Sequence, residues 1–482
     1  ITDQGTLNYA VQMYYDIVPL YKNGVYRLKY DISASKPRFV ESMIQQNGGT
    51  YQAYTWKGVH VTTEPQTVDY EFTMEEDTDI MAKFCFNCGL QEKEDGGPIG
   101  EHTIYLDNVS LELIDDSKVD YNANKPYAPS IITNQIGYRT DAKKTAVFRD
   151  TNGGIFSIVN ADTKQTVFTG EMSGPISNSS ADETNFKGDF SSVTTPGKYY
   201  VSADGLDDSY TFEIGENVYN NLLDASVKML YLQRCGTKVE DDKFGHASCH
   251  DSIATIYKTD QKIDVSGGWH DAGDYGRYVV AAAKAVADLM YAYEANPEMY
   301  SDNIGIPESG NGTPDILDEV RYELEWMLKM QDQFDGGVYH KVTCDTFPGY
   351  VMPEKETKPL IVMPKSTTAT ADFAASMAMA AEFYKDIDAG FASKCLDAAK
   401  KAYNWTKANP NVTYSNPADI VTGEYGDKVV ADELYWAAAQ LYRATGDVGY
   451  MDGISAKKGL DWATVGDYGN IAILTMKDID KS

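Results

Sequence analysis

The chain has 482 residues, 43% of them hydrophobic and 24% charged, which is enough apolar surface for several buried cores and unlike a disordered chain. Against 42 Lys and Arg stand 72 Asp and Glu; the formal charge of -30 argues against nucleic-acid and anionic-lipid partners and leaves neutral polymers and divalent cations as the expected ligands. No apolar run reaches the roughly 20 residues of a membrane span, so no membrane partner is expected. The chain opens at Ile1 without the basic and apolar regions of a signal peptide, so localisation has to be inferred from function.

Residues 1–114 alternate with the period of strands in "VYRLKYDISA", "TVDYEFTM", "DIMAKFCFNCGL" and "HTIYLDNVSLELI", separated by turn-forming Gly, Asn and Asp. This predicts an all-β sandwich. Within it, "TYQAYTWKG" offers Tyr51, Tyr54 and Trp56 as a sugar-stacking strip; alternation puts Tyr54 and Trp56 on one face, which is either that strip or the core. "CFNC" at 85–88 supplies only two soft ligands and reads as buried thiols or a local disulfide. Residues 115–128, polar and with a proline, read as a linker. Short strands resume over 129–214, at the spacing of a second, immunoglobulin-like sandwich.

From residue 215 to 482 the period becomes helical. Val218, Leu222, Ala225 and Met229 form one apolar stripe, and Val279, Ala283, Val286 and Met290 another. Thr313 and Pro314 read as N-cap and first-turn residue of the next helix, three alanine-rich helices follow, and Gly446 reads as the C-cap of the last of these. With a short helix near 450–463 the count is about seven, arranged as an all-α toroid or solenoid with function on its connecting loops.

One of those loops, "SGGWHDAGDYG", sets Asp271 and Asp274 three apart, so that both carboxylates can face one water. A helix cap or a calcium loop fits that spacing as well. Cys235, Cys249, His250 and His270 take two of six cysteines and two of six histidines within residues 235–270. Two thiolates and two imidazoles suit a closed tetrahedral zinc site; the alternatives are scattered buried thiols or a Cys235–Cys249 disulfide.

The run "GGWHDAGDYGRYV", with "IPESGNGTPDILDE", "EWMLKMQ", "GGVYHKV", "STTATADFAASMAMAAEFY" and "ADELYWAAAQLYRATGD", strongly resembles glycoside hydrolase family 9, cellulases built on an (α/α)6 barrel. "NQIGY" and "GKYYV" resemble the immunoglobulin-like module that precedes this barrel in one branch, and "TIYLDNVSLEL" closes a segment resembling a family 4 carbohydrate-binding module. The resemblance implies inverting hydrolysis of β-1,4-glucosidic bonds by a secreted enzyme, with Asp274 as base and Asp271 helping to hold the attacking water. It implies sugar contacts from His340 and Tyr425, zinc on the Cys and His set, and calcium on Asp432 and Glu433. Asp427 and Asp467 could complete the calcium shell, although a first-turn acidic pair at a helix N-terminus explains Asp432 and Glu433 equally well. "PESGNGTPD" at 307–315 is a vaguer calcium candidate.

Family members carry a glutamate acid near the C-terminal end of the barrel, whereas this chain stops at "LTMKDIDKS". An incomplete toroid is therefore expected, in a chain that is monomeric unless a further segment is supplied in trans. A polysaccharide-binding protein without turnover is the competing expectation.

Overall fold

The computed structural model describes residues 1–121, 129–181 and 183–476. It divides into two units, Ile1–Ser130 and Ile131–Ser482. Residues 122–128, the second half of the expected linker, lie outside the described residues.

The first unit is a β-sandwich. Its strands are β1 (Gln12–Leu20), β2 (Val25–Ala34), β3 (Arg38–Gln45), β4 (Ala53–Val61), β5 (Gln66–Thr73), β6 (Asp79–Asn87) and β7 (Ile104–Asp115), with one helical turn, α1 (Glu92–Asp95). In β2 the period of two is plain: Tyr26, Leu28, Tyr30, Ile32 and Ala34 are buried between less buried neighbours. One sheet runs β1-β6-β3-β4 and the other β5-β2-β7, and their inner faces meet in a core containing Leu28, Tyr30, Ile44, Phe84 and Phe86. The pairing of β3 with β4 slips between Ile44↔Thr55 and Gln45↔Ala53, which leaves Tyr54 as the extra residue of a bulge.

The second unit opens with an immunoglobulin-like sandwich. Its strands are β8 (Ile131–Ile132), β9 (Thr145–Phe148), β10 (Ile155–Asn160), β11 (Thr166–Glu171), β12 (Ser173–Asn178), β13 (Glu183–Asp189), β14 (Gly197–Ala203) and β15 (Phe212–Ile214). Sheets β11-β10-β14-β15 and β12-β13-β9-β8 enclose Phe148, Phe156, Phe190 and Phe212. The Tyr219 hydroxyl, at the head of the first long helix, donates to the Gly137 carbonyl and accepts from the Asn134 amide, tying this sandwich to the helices.

The helices are α2 (Asn220–Leu232), α3 (Val279–Ala295), α4 (Asp315–Lys329), α5 (Thr367–Phe383), α6 (Ala389–Ala408), α7 (Ala431–Thr445) and α8 (Gly466–Thr475). Helix α5 is the axis of the unit. Its residues from Thr367 to Ala380 are all buried, and it packs on α3, α6 and α7; alanines on every side allow that close approach. Ser366 caps it by accepting from the Ala369 N–H, and Asp388 caps α6 in the same way through Phe391. Gly446 ends α7 in the left-handed conformation, as its position after the last periodic residue predicts.

Three local expectations fail here. The α2 stripe is misplaced: Leu222 and Met229 are exposed, and Val227 and Tyr231 face the interior. Helix α4 begins at Asp315 after Pro314, so Thr313 is not its cap; the Thr313 N–H is instead taken by the Asn311 side chain. In place of a helix over 450–463 there is a 3-10 turn, Val448–Met451, then irregular chain through Gly453 and Gly459 at positive φ, so the helix starts only at Gly466. A small sheet accompanies the helices. Strands β16 (Ala254–Ile256), β17 (Lys262–Ile263), β18 (Arg277–Tyr278), β19 (Lys341–Thr343) and β20 (Ile361–Val362) form a sheet in the order β17-β16-β20-β19-β18, too short to leave a periodic signal.

Candidate active site and metal-ligating clusters

The loop carrying Asp271 and Asp274 is fastened to α4 before it turns. The Trp269 N–H donates to Glu323 Oε2 at 2.5 Å and its indole N–H to Glu319 Oε2 at 3.3 Å. Both glutamates are buried, and Arg234 neutralises Glu319 at 2.8 Å. Burial pushes Glu323 up to about 8 and Glu319 up to about 7. At Gly268 a Cβ would stand 2.7 Å from the Trp326 ring and φ is +76°, so this close pass over α4 requires glycine.

The turn is closed by the Asp271 N–H on the Gly276 carbonyl at 3.0 Å and the Tyr275 N–H on the Ala272 carbonyl at 3.2 Å. Asp274 accepts from the Tyr278 hydroxyl and, at 3.3 Å, from the Gly276 N–H. Asp271 accepts from the Tyr425 hydroxyl at 2.7 Å. Each aspartate thus has its own tyrosine, and the two rings lie 4.7 Å apart. Poor solvation, with a smaller contribution from the Asp274 charge, holds Asp271 above the usual carboxylate range. The same burial and the adjacent carboxylates push Tyr278 and Tyr425 far up, so both remain hydroxyl donors.

Asp271, Asp274 and Tyr425 line a cleft of about 900 Å³ together with Tyr275, residues 347–352, Gly423, Glu424 and Trp462. Tyr278 and Lys341 were missed in the sequence, although Tyr278 follows Asp274 by four residues. Lys341 is buried, pushed down to about 8 by desolvation, and donates to Asn416, Thr422 and the Gly423 carbonyl, fixing the segment that carries Tyr425.

His340 does not reach the cleft, contrary to the expected sugar contact. It is fully buried and stacked on Tyr414 at 4.0 Å. Its Nε2–H donates to the Glu424 carbonyl at 3.1 Å, which leaves Nδ1 to accept from Ser366 at 2.9 Å, and burial pushes it down to about 3. It is a neutral brace behind Tyr425. In the first unit, Tyr54 and Trp56 are parted by the bulge. Tyr54 packs against the core and donates to Asp79, whereas Trp56 is exposed in a cross-strand row with Met43, Cys85 and Tyr14.

Cys235, Cys249, His250 and His270 are all buried, with ligand atoms within 4.8 Å of one another. Neither ring nitrogen of His250 has a partner, and Cys249 Sγ lies 3.5 Å from His270 Nε2. The Cys235 thiol, and more weakly the two imidazoles, push Cys249 below the usual thiol range. This donor set fits a soft or borderline cation, and the six cysteines are all free, so neither disulfide alternative applies.

The acidic cluster differs from the expected one. Asp427, Asp432 and Glu433 are joined by Asp372, whose two carboxylate oxygens are buried without a partner. Burial and the charges of Asp372 and Asp432 push Glu433 up to about 11. Asp467 belongs elsewhere: it accepts from the Gly459 N–H and the Asn470 amide, organising the approach to α8. A second acidic set, Asp302, Asp315 and Asp318, brings its oxygens within 4.8 Å; Asp315 Oδ1 is buried without a partner, and desolvation pushes Asp318 up to about 6.

Family models match three segments: a carbohydrate binding domain over residues 1–94, a cellulase N-terminal ig-like domain over 127–208 and glycosyl hydrolase family 9 over 219–478. The chain is similar to a xyloglucan-specific endo-beta-1,4-glucanase of Bacteroides ovatus, 37% identical over 71% of this chain and 62% of that protein. It is similar to a cellulose 1,4-beta-cellobiosidase of Acetivibrio thermocellus, 31% identical over 94% of this chain and 56% of that protein. Among solved structures it resembles a zinc-binding triple mutant of a family 9 endoglucanase, with a TM-score of 0.67 at 32% identity, covering 71% of this chain and 68% of that one. The chain therefore spans between half and two thirds of the length of these curated relatives. The family model covers more than half of the sequence, and its span holds the paired aspartates, their tyrosines and the cleft: the chain belongs to glycosyl hydrolase family 9.

Proposed function

We propose that the protein hydrolyses β-1,4-glucosidic bonds in cellulose and related glucans with inversion at the anomeric carbon. The observation that carries this reading is the pair of aspartates on one turn lining a cleft, each held by a separate tyrosine. Asp274 is the base that takes a proton from the attacking water; Asp271, fixed by Tyr425, holds that water in line. Inverting chemistry pairs such a base with an acid roughly 6.5–9.5 Å away, on the other side of the scissile bond.

Zinc is the cation we assign to Cys235, Cys249, His250 and His270, and calcium to Asp372, Asp427, Asp432 and Glu433 and to Asp302, Asp315 and Asp318. Four protein ligands leave the zinc site closed, which suits a structural role; when bound, the ion would anchor the loop through His270, the residue before Asp271. In the first unit, Trp56 and Tyr14 on the outer face would add affinity for the polymer. A glucan too large to enter a cell places the site of action outside it, and no helix among the described residues is long and apolar enough to cross a membrane.

The test is reducing-end release from a soluble β-1,4-glucan by residues 1–482, run beside Asp274→Ala. Turnover by the first and not the second is expected. Binding without turnover in both would refute the hydrolytic reading and favour a polysaccharide-binding role.

A further inference from the structure

Residues 347–352 line the cleft with Asp271 and Asp274, yet little within the segment itself holds them there. The flanks are fixed: Lys358 Nζ lies 3.4 Å from Asp345 Oδ1, the Asp345 carbonyl accepts from the Val421 N–H at 2.9 Å, and Pro353 is buried. Between those points Phe347, Tyr350, Val351 and Met352 are exposed, so packing contributes little. Among the described residues, one hydrogen bond joins 347–352 to the chain outside 344–358: the Tyr275 hydroxyl donates to the Val351 carbonyl. A stretch with few buried contacts opens easily, and a single bond is then a large part of its local stability.

Tyr275 is itself held in an unusual conformation. Its φ is +57°, a left-handed value at which a bulky side chain crowds its own backbone, so surrounding contacts must keep it there. Its N–H closes the aspartate turn on the Ala272 carbonyl at 3.2 Å, and its ring lies 5.1 Å from that of His270 and 5.8 Å from that of His250. His250 is also left-handed, at φ +50°, and neither of its ring nitrogens has a partner in the protein. The rings that support Tyr275 therefore belong to the Cys and His set, and a cation on that set would fix the orientation of His250.

We propose that Tyr275 is a positioning residue that carries occupancy of the Cys and His site to the cleft: the metal-bound imidazoles steady its ring, and its hydroxyl holds residues 347–352 beside the aspartates. This role rests on the zinc assignment and the hydrolytic reading above. Coupling between two sites is reciprocal. If the metal steadies Tyr275 against Val351, the Tyr275–Val351 bond strengthens metal binding by the same factor. A residue that only shaped the turn, or only touched sugar, would show one of these effects without the other.

The test compares the zinc-loaded full chain with its Tyr275→Phe variant, which keeps the ring against the imidazoles and removes only the hydroxyl. Amide hydrogen exchange over 345–353 should quicken about 2- to 10-fold, as expected for one neutral hydrogen bond, while α5 exchanges as before. The zinc Kd, read by competition with a chromophoric chelator, should rise about 2- to 5-fold. KM for a soluble β-1,4-glucan should rise by a similar factor with kcat within about 2-fold, because the aspartates and their tyrosines are untouched. Unchanged exchange over 345–353 refutes the positioning role, and a raised KM alongside it would make Tyr275 a sugar contact instead. Faster exchange there with an unchanged zinc Kd overturns the coupling. Faster exchange in α5 as well would mean a loss of general stability, which overturns it too. A parent that binds no zinc fails the zinc assignment and the proposal together. A parent that binds zinc without turning glucan over fails the hydrolytic reading alone, and exchange and zinc affinity then decide the proposal.

Discussion

Replacing Tyr278 by Phe removes one atom from the site. The ring is buried, packed on Tyr425 at 4.7 Å, with Lys341 Nζ 5.4 Å from its centre, and Phe retains those contacts. What is lost is the hydroxyl that donates to Asp274, whose remaining donor is the Gly276 N–H at 3.3 Å. A hydrogen bond to a charged group contributes about 1.5–3 kcal/mol, so kcat/KM should fall by about 10- to 150-fold if the whole contribution is expressed in the transition state. The assay is reducing-end release from a soluble glucan, with Tyr278→Ala as a packing control. A Tyr278→Phe variant with unchanged kcat/KM would show that the tyrosine does not govern the base.

Glu323 rises on folding from 4.5 to about 8, chiefly through burial, so the native state binds its proton more tightly than the unfolded chain does. Its contribution to stability is therefore complete below about pH 4.5 and declines as pH rises towards 8; in a thermal-shift series Glu323→Gln should flatten that decline, and an identical slope would contradict it. Elemental analysis should find one zinc per chain in the parent and none in His250→Ala, with a lower melting temperature for the variant; retention of zinc would refute the ligand set. Asp372→Asn should raise the melting temperature in chelator, because it removes one of the crowded carboxylates, and should shrink the rise on adding calcium. An undiminished calcium response would place that ion elsewhere.

Short-range order was legible in the sequence. Alternation in "VYRLKYDISA" defines a strand because side chains on an extended chain change face at every residue, and the buried set of β2 follows it. Cys235, Cys249, His250 and His270 could be grouped because four soft ligands in so short a span have few other uses. Asp271 and Asp274 needed only one turn of chain to meet. The partners of those aspartates were a different matter. Tyr425 lies 154 residues beyond Asp271, and no local pattern records a contact closed through Lys341 and the sheet beneath it. The resemblance implies a sugar contact for His340, whereas the fold turns it inward, where a carbonyl and a hydroxyl satisfy both nitrogens. Asp372 was unremarkable on an alanine-rich helix until α5 was buried against α7 and its carboxylate faced Glu433. A single bulge decided Tyr54 against Trp56, since one extra residue reverses which face a side chain meets. Sequence by itself determined the longer strands and helices and grouped the two aspartates and the Cys and His set, because those depend on neighbours along the chain. Tertiary structure decided which of them share a water, a cation or a wall, because burial and hydrogen-bond closure depend on residues that meet only when the helices pack.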